Sequence, residues 1–88
     1  MKIVVTSENI EKGIAGNSCF CPVAISIREV VGKDKIITVC KEEIMLRDDP
    51  NTNTVSTRTM YKTPEAVQRF MWMFDSGLVV EPFTFELA

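Results

Sequence analysis

Histidine is absent from the 88 residues. That removes the commonest general base and the commonest metal ligand together, so a Ser-His-Asp triad, an HExxH zinc site and a Cys2His2 finger are all excluded. A basic excess is missing too. Ten Lys plus Arg against twelve Asp plus Glu give a net charge of −2 and a pI near 5.0, so no nucleic-acid partner is expected. No apolar run approaches the roughly 18 to 20 residues that cross a bilayer, so no membrane association is expected. The start, Met1-Lys2-Ile3-Val4-Val5, has neither a charged n-region nor an h-region, and the reading is a soluble protein of a cytoplasm. The three cysteines, Cys19, Cys21 and Cys40, are an odd number, and the one-residue gap between Cys19 and Cys21 argues against a secreted disulfide framework.

What is present is ordinary globular material. Hydrophobic residues make up 45% and charged residues 25%, with a mean hydropathy of +0.08, which excludes intrinsic disorder. The length allows one core and one domain. A chain of this size buries only about 60 to 65% of its unfolded surface, so a homo-oligomer is expected to supplement its stability.

Local patterns place the elements. The β-branched run Lys2 to Thr6 reads as a strand. Thr6 or Ser7 caps a short helical segment over Glu8 to Lys12. Gly13 to Cys21 reads as a loop, closed by Pro22 in the first position of a helix whose Val23, Ala24, Ile27, Val30 and Val31 form one stripe up to Gly32. Lys35 to Cys40, Glu43 to Arg47 and Val55 to Tyr61 are β-prone, and Asp48 to Thr54 between the last two reads as a hairpin loop, expected to be the most exposed and mobile part. Thr63, Pro64 and Glu65 predict an N-cap, a first-position proline and a first-turn acid. The helix that follows has the stripe Val67, Phe70, Met71 and Phe74, and Gly77 before Leu78 predicts a Schellman stop. Glu81 to Leu87 alternates as a final edge strand. The expected fold class is α+β, a small mixed or antiparallel sheet with two helices packed on one face.

Two constellations carry possible chemistry. A loop feeding a helix start offers backbone N–H groups and a positive dipole end to an anion, which selects Gly16, Asn17, Ser18, Cys21 and Val23 as candidate phosphate contacts. A thiol at Cys21, before Pro22, would also feel that dipole, but without a histidine the packing reading of the cysteines is preferred, and no catalytic residue, metal or cofactor is expected. Along the second helix Trp72 falls roughly 150° from the centre of the apolar stripe. Arg69 and Trp72, three residues apart, therefore share the outer face, a guanidinium beside an indole suited to a planar ligand or a protein interface. The pairs Glu42-Glu43 and Asp48-Asp49 read as solvated turn charges.

The elements Ile10…Gly13…Gly16…Cys21-Pro22-Val23-Ala24 and Thr63-Pro64…Val67…Arg69-Phe70…Phe74-Asp75-Ser76-Gly77…Val80…Pro82-Phe83…Phe85…Leu87 resemble a group of small uncharacterised proteins encoded by tailed bacteriophages and prophages. The resemblance covers both ends, roughly two thirds of the chain, and implies a phage accessory protein made in an infected bacterial cytoplasm. It brings no catalytic residues.

Two functions are then in competition. One is sequestration of a nucleotide-like immune signal, with phosphates on the loop before Pro22 and a base near Trp72, which on separate faces of one protomer would need an oligomer to meet. The other is inhibition of a host defence protein by docking through Trp72 and the Asp48 to Thr54 loop, or a plain interaction module without ligand.

Overall fold

The first strand, β1 (Lys2–Val5), buries Ile3 and Val5 and turns Lys2 and Val4 to solvent, the period of two of a pleated strand, which leaves the apolar Val4 half exposed. The computed structural model describes residues 1–49 and 58–88. Helix α1 (Ser7–Lys12) has a complete capping box, in which the Thr6 hydroxyl accepts from the Asn9 N–H and the Asn9 amide oxygen accepts from the Thr6 N–H. Asn9 is buried, and its side-chain amide donates onward to Glu29.

Helix α2 (Pro22–Val31) packs along the core through Val23, Ala24 and Ile27. One member of the expected stripe departs from it: Val30 is 52% exposed, whereas Val31 beside it is half-buried against the core. Ser26 is buried instead, its hydroxyl donating to the Val23 carbonyl at 2.7 Å. Strands β2 (Lys35–Val39), β3 (Glu43–Asp48) and β4 (Arg58–Lys62) form an antiparallel sheet in that order. Of the strand expected over Val55 to Tyr61, residues 55–57 lie outside the described residues, as do residues 50–54 of the expected loop. Asp48 corrects the reading of solvated turn charges. It closes β3, is buried, and pairs with Lys35 directly across the ladder.

Helix α3 (Glu65–Asp75) starts one residue away from the expected cap. Pro64 is the N-cap and makes no side-chain cap bond, while Thr63 turns inward, its hydroxyl donating to the Cys40 carbonyl at 2.8 Å and its N–H to the Glu42 carbonyl at 2.9 Å. Closing the end of the sheet uses the groups that a local reading assigns to the helix. The other end of α3 follows its sequence. Gly77 has φ +79°, the Leu78 N–H donates to the Met73 carbonyl and the Gly77 N–H to the Phe74 carbonyl, which together make a Schellman stop.

Strand β5 (Phe83–Glu86) pairs antiparallel with β1, so the two ends of the chain form their own two-stranded sheet rather than joining the other three strands. The architecture is α+β, with three helices and two antiparallel sheets among the described residues. Phe70 of α3 meets Phe83 of β5 in a tilted contact at 4.7 Å, and Phe83 stacks on Phe85 at 5.7 Å, so α3 is fixed to this terminal sheet by aromatic contact.

Candidate functional site

The loop between α1 and α2 is built by its own hydrogen bonds. The Asn17 side-chain oxygen accepts from the N–H groups of Cys19 and Phe20, both at 3.0 Å, and the Ile14 N–H reaches the Phe20 carbonyl at 2.9 Å. Arg28 of α2 donates to the Cys19 carbonyl and lies 5.2 Å over the Phe20 ring. The Ser18 carbonyl accepts from the Val39 N–H, which fastens the loop beside β2.

The helix start behind this loop is closed. Cys21 is the N-cap of α2 and has no accessible surface, and its sulfur accepts from the Ala24 N–H at 3.4 Å. Burial pushes the Cys21 thiol pKa up, against smaller opposing contributions from the N–H groups of Ala24 and Val23. The thiol is thus held protonated at neutral pH and packs as an apolar group. Val23 is equally inaccessible. The expectation that Cys21 and Val23 contact a ligand is therefore corrected: the dipole end faces a buried sulfur, because the apolar start of α2 is part of the core.

Gly16, Asn17 and Ser18 remain at or near the surface, but the Gly16 N–H, the Asn17 side-chain oxygen and the Ser18 carbonyl are engaged. The Gly16 N–H donates to the Asp75 carboxylate at 3.0 Å, and the Asn17 oxygen holds the loop closed. Asp75 has taken the position at which an incoming phosphate would be expected, and its charge opposes a second anion there. The same bond brings the loop to the last turn of α3, one helical turn from Trp72. A single protomer thus places the loop and the Trp72 region side by side, with no oligomer required.

On α3, Trp72 is 66% exposed and points away from the core, as its position on the helix implies. Arg69 is also exposed, and its guanidinium reaches Glu65 one turn earlier at 3.3 Å. The two residues border different hollows. Arg69 lines one of about 510 Å³, together with Phe70, Met73 and the segment Val79 to Phe83. Trp72 lines another of about 260 Å³, with Cys40, Lys41, Thr63, Gln68 and Asp75. α3 is therefore a ridge between two depressions, and the guanidinium and indole expected side by side for one planar ligand are divided between its flanks.

Asp75, Lys41 and Val79 were not among the residues that the sequence singled out. Asp75 did leave a signal: an acid in the last turn opposes the negative end of the helix, a placement that calls for an outside donor. That donor, Gly16, lies 59 residues away, beyond any local pattern. Among the described residues no group of three or more potential ligands is placed to hold a metal ion, and no helix is long and apolar enough to cross a membrane. Compared with models of protein families, with curated proteins and with solved structures, the chain matches none.

Proposed function

We propose that this chain is a non-catalytic binding domain that docks on another protein through the ridge of α3, with Trp72 as the anchor. The observation that carries the reading is the indole itself, two-thirds exposed on a helix that has a depression on either side. A large rigid side chain left in water costs solvation without helping the fold, and Trp is the residue type most often found at the energetic centre of protein interfaces. Val79, 89% exposed beside the Arg69 hollow, and Leu78 extend the apolar surface.

Sequestration of a nucleotide has less support, because the Gly16 N–H is bound to Asp75, the Asn17 oxygen closes the loop and Cys21 and Val23 are inaccessible, while Ser18 stays exposed. With the resemblance to phage accessory proteins, the partner we propose is a bacterial defence protein. The test is co-purification from infected cells, reading both proteins and extracted small molecules. The expected result is one protein recovered in stoichiometric amount with the wild-type chain and lost from Trp72→Ala at an unchanged melting temperature. Recovery of a nucleotide with no protein partner would restore the sequestration reading, and recovery of the chain alone as an oligomer that Trp72→Ala dissociates would assign the ridge to self-assembly.

A further inference from the structure

A second surface, independent of the α3 ridge, lies at the free edge of β4. In the order β2-β3-β4 no strand among the described residues pairs with the outer side of β4. The Thr63 N–H to Glu42 carbonyl bond sets the phase of the ladder, and with Tyr61 opposite Ile44 and Thr59 opposite Leu46 the inward groups belong to Thr59, Tyr61 and Thr63. By alternation, the backbone N–H and C=O groups of Arg58, Met60 and Lys62 face outward.

The side chains of these three residues share one sheet face and are exposed. Arg58 lies opposite Arg47, a like-charge pair that costs stability, and none of the ion pairs among the described residues involves Arg47, Arg58 or Lys62. Residues 50–57 contain no charged side chain, and although Glu43 lies opposite Lys62 across the ladder the two do not form an ion pair. An acidic chain has thus placed a cation–apolar–cation row along an open strand edge.

We propose that this edge receives an extended acidic segment of another protein as an added strand, with acid–any–apolar–any–acid spacing. The two acids would meet Arg58 and Lys62 and the apolar residue Met60, while main-chain hydrogen bonds supply the rest. A second copy of this chain does not fit. Antiparallel self-pairing about Met60 sets Arg58 against Lys62, and parallel pairing in register sets each cation against its own copy. Nor does the sequence hold any two acids four residues apart with an apolar residue midway.

The probe is a capped peptide with the core Glu-Thr-Val-Thr-Glu, titrated into the full chain. The expected result is saturable binding that slows amide exchange at Arg58, Met60 and Lys62. Arg58→Glu, which gains Arg47 as a cross-strand partner, should weaken binding at least about tenfold. Met60→Pro removes an outward N–H and leaves the inward ladder intact, so it should weaken binding as much. N-methylation of the peptide amides that face β4 should abolish binding without touching the protein, which covers the case that Met60→Pro misfolds. Trp72→Ala should leave peptide binding unchanged, which separates this edge from the α3 ridge. The proposal is overturned if the peptide does not bind, if the N-methylated peptide binds equally well, or if the three amides are already protected in the free protein.

Discussion

Helices α2 and α3 differ by one residue in length, and each has a proline at its start, Pro22 as the first residue of α2 and Pro64 as the N-cap of α3, yet they serve the molecule differently. α2 buries five of its ten residues, and its N-cap sulfur, its loop and its guanidinium all bind back to the protein. α3 buries two of its eleven, Val67 and Phe70, packs Met71 and Phe74 half-buried against the core, and turns its other face to solvent or to shallow depressions. The helix whose start looks like a ligand site is structural. The helix that looks like a plain amphipathic support carries the exposed tryptophan. A helix terminus binds an anion only if it opens to solvent, and α2 cannot open without exposing the core behind Cys21.

The sharpest test of this difference removes one core anchor from each helix. Phe70→Ala is expected to cost about 3 to 5 kcal/mol and Ile27→Ala about 2 to 5 kcal/mol by denaturant unfolding. Each is large enough to unfold a marginal domain. Hydrogen exchange in the wild type should separate the helices further: α3 amides should open at a lower free energy than α2 amides, since α3 is held by two buried and two half-buried apolar side chains against five buried residues in α2. Equal protection in both helices would break the comparison.

A smaller effect should come from the closed start of α2. The Cys21 thiol pKa is raised by burial above its ordinary 9.0. The native state therefore holds the proton more tightly than the unfolded state, a contribution fully present at neutral pH and lost as the pH rises above about 9. Urea midpoints from about pH 8 to pH 10.5 should fall more steeply for the wild type than for Cys21→Ser, which keeps an acceptor for the Ala24 N–H and does not titrate. A matching slope in the variant would mean that the thiol is not buried.

Asp75→Asn should weaken the tie from the Gly16 loop to α3. Its effect on stability should stay below about 1 kcal/mol, because the bond is exposed and relief of repulsion at the helix end offsets part of the loss. Faster amide exchange at Gly16 is the direct readout. The least effect on stability belongs to Trp72→Ala, within about 0.5 kcal/mol by thermal melting, although binding of the proposed partner should drop at least about 30-fold. A large destabilisation by this variant would identify Trp72 as a fold residue and remove the anchor from the ridge.

Much of this was legible along the chain. The capping residues before α1, the proline that starts α2, the Schellman stop after α3 and the alternation in β5 all depend on groups within four or five residues of one another, and each lies where those patterns predict. The outward direction of Trp72 also follows, because a helix of known register fixes the angle between its residues. Thr63 was read wrongly for the converse reason. Its side chain has an equally good local use as a cap, and only the Cys40 carbonyl, 23 residues away, decides against it.

By itself, then, the sequence determined the kinds of element, the two apolar stripes, the exclusion of histidine-based chemistry and the exposure of Trp72, since each rests on composition or on contacts local to one turn or one strand. Only the tertiary structure decided that the terminal strands form a sheet of their own, that Asp48 is buried against Lys35, that the start of α2 is sealed by Cys21 and that Asp75 reaches the Gly16 loop. These outcomes join residues far apart in the chain. Which distant partner satisfies a buried or charged group is set by packing across the whole core, and no periodicity in the sequence encodes it.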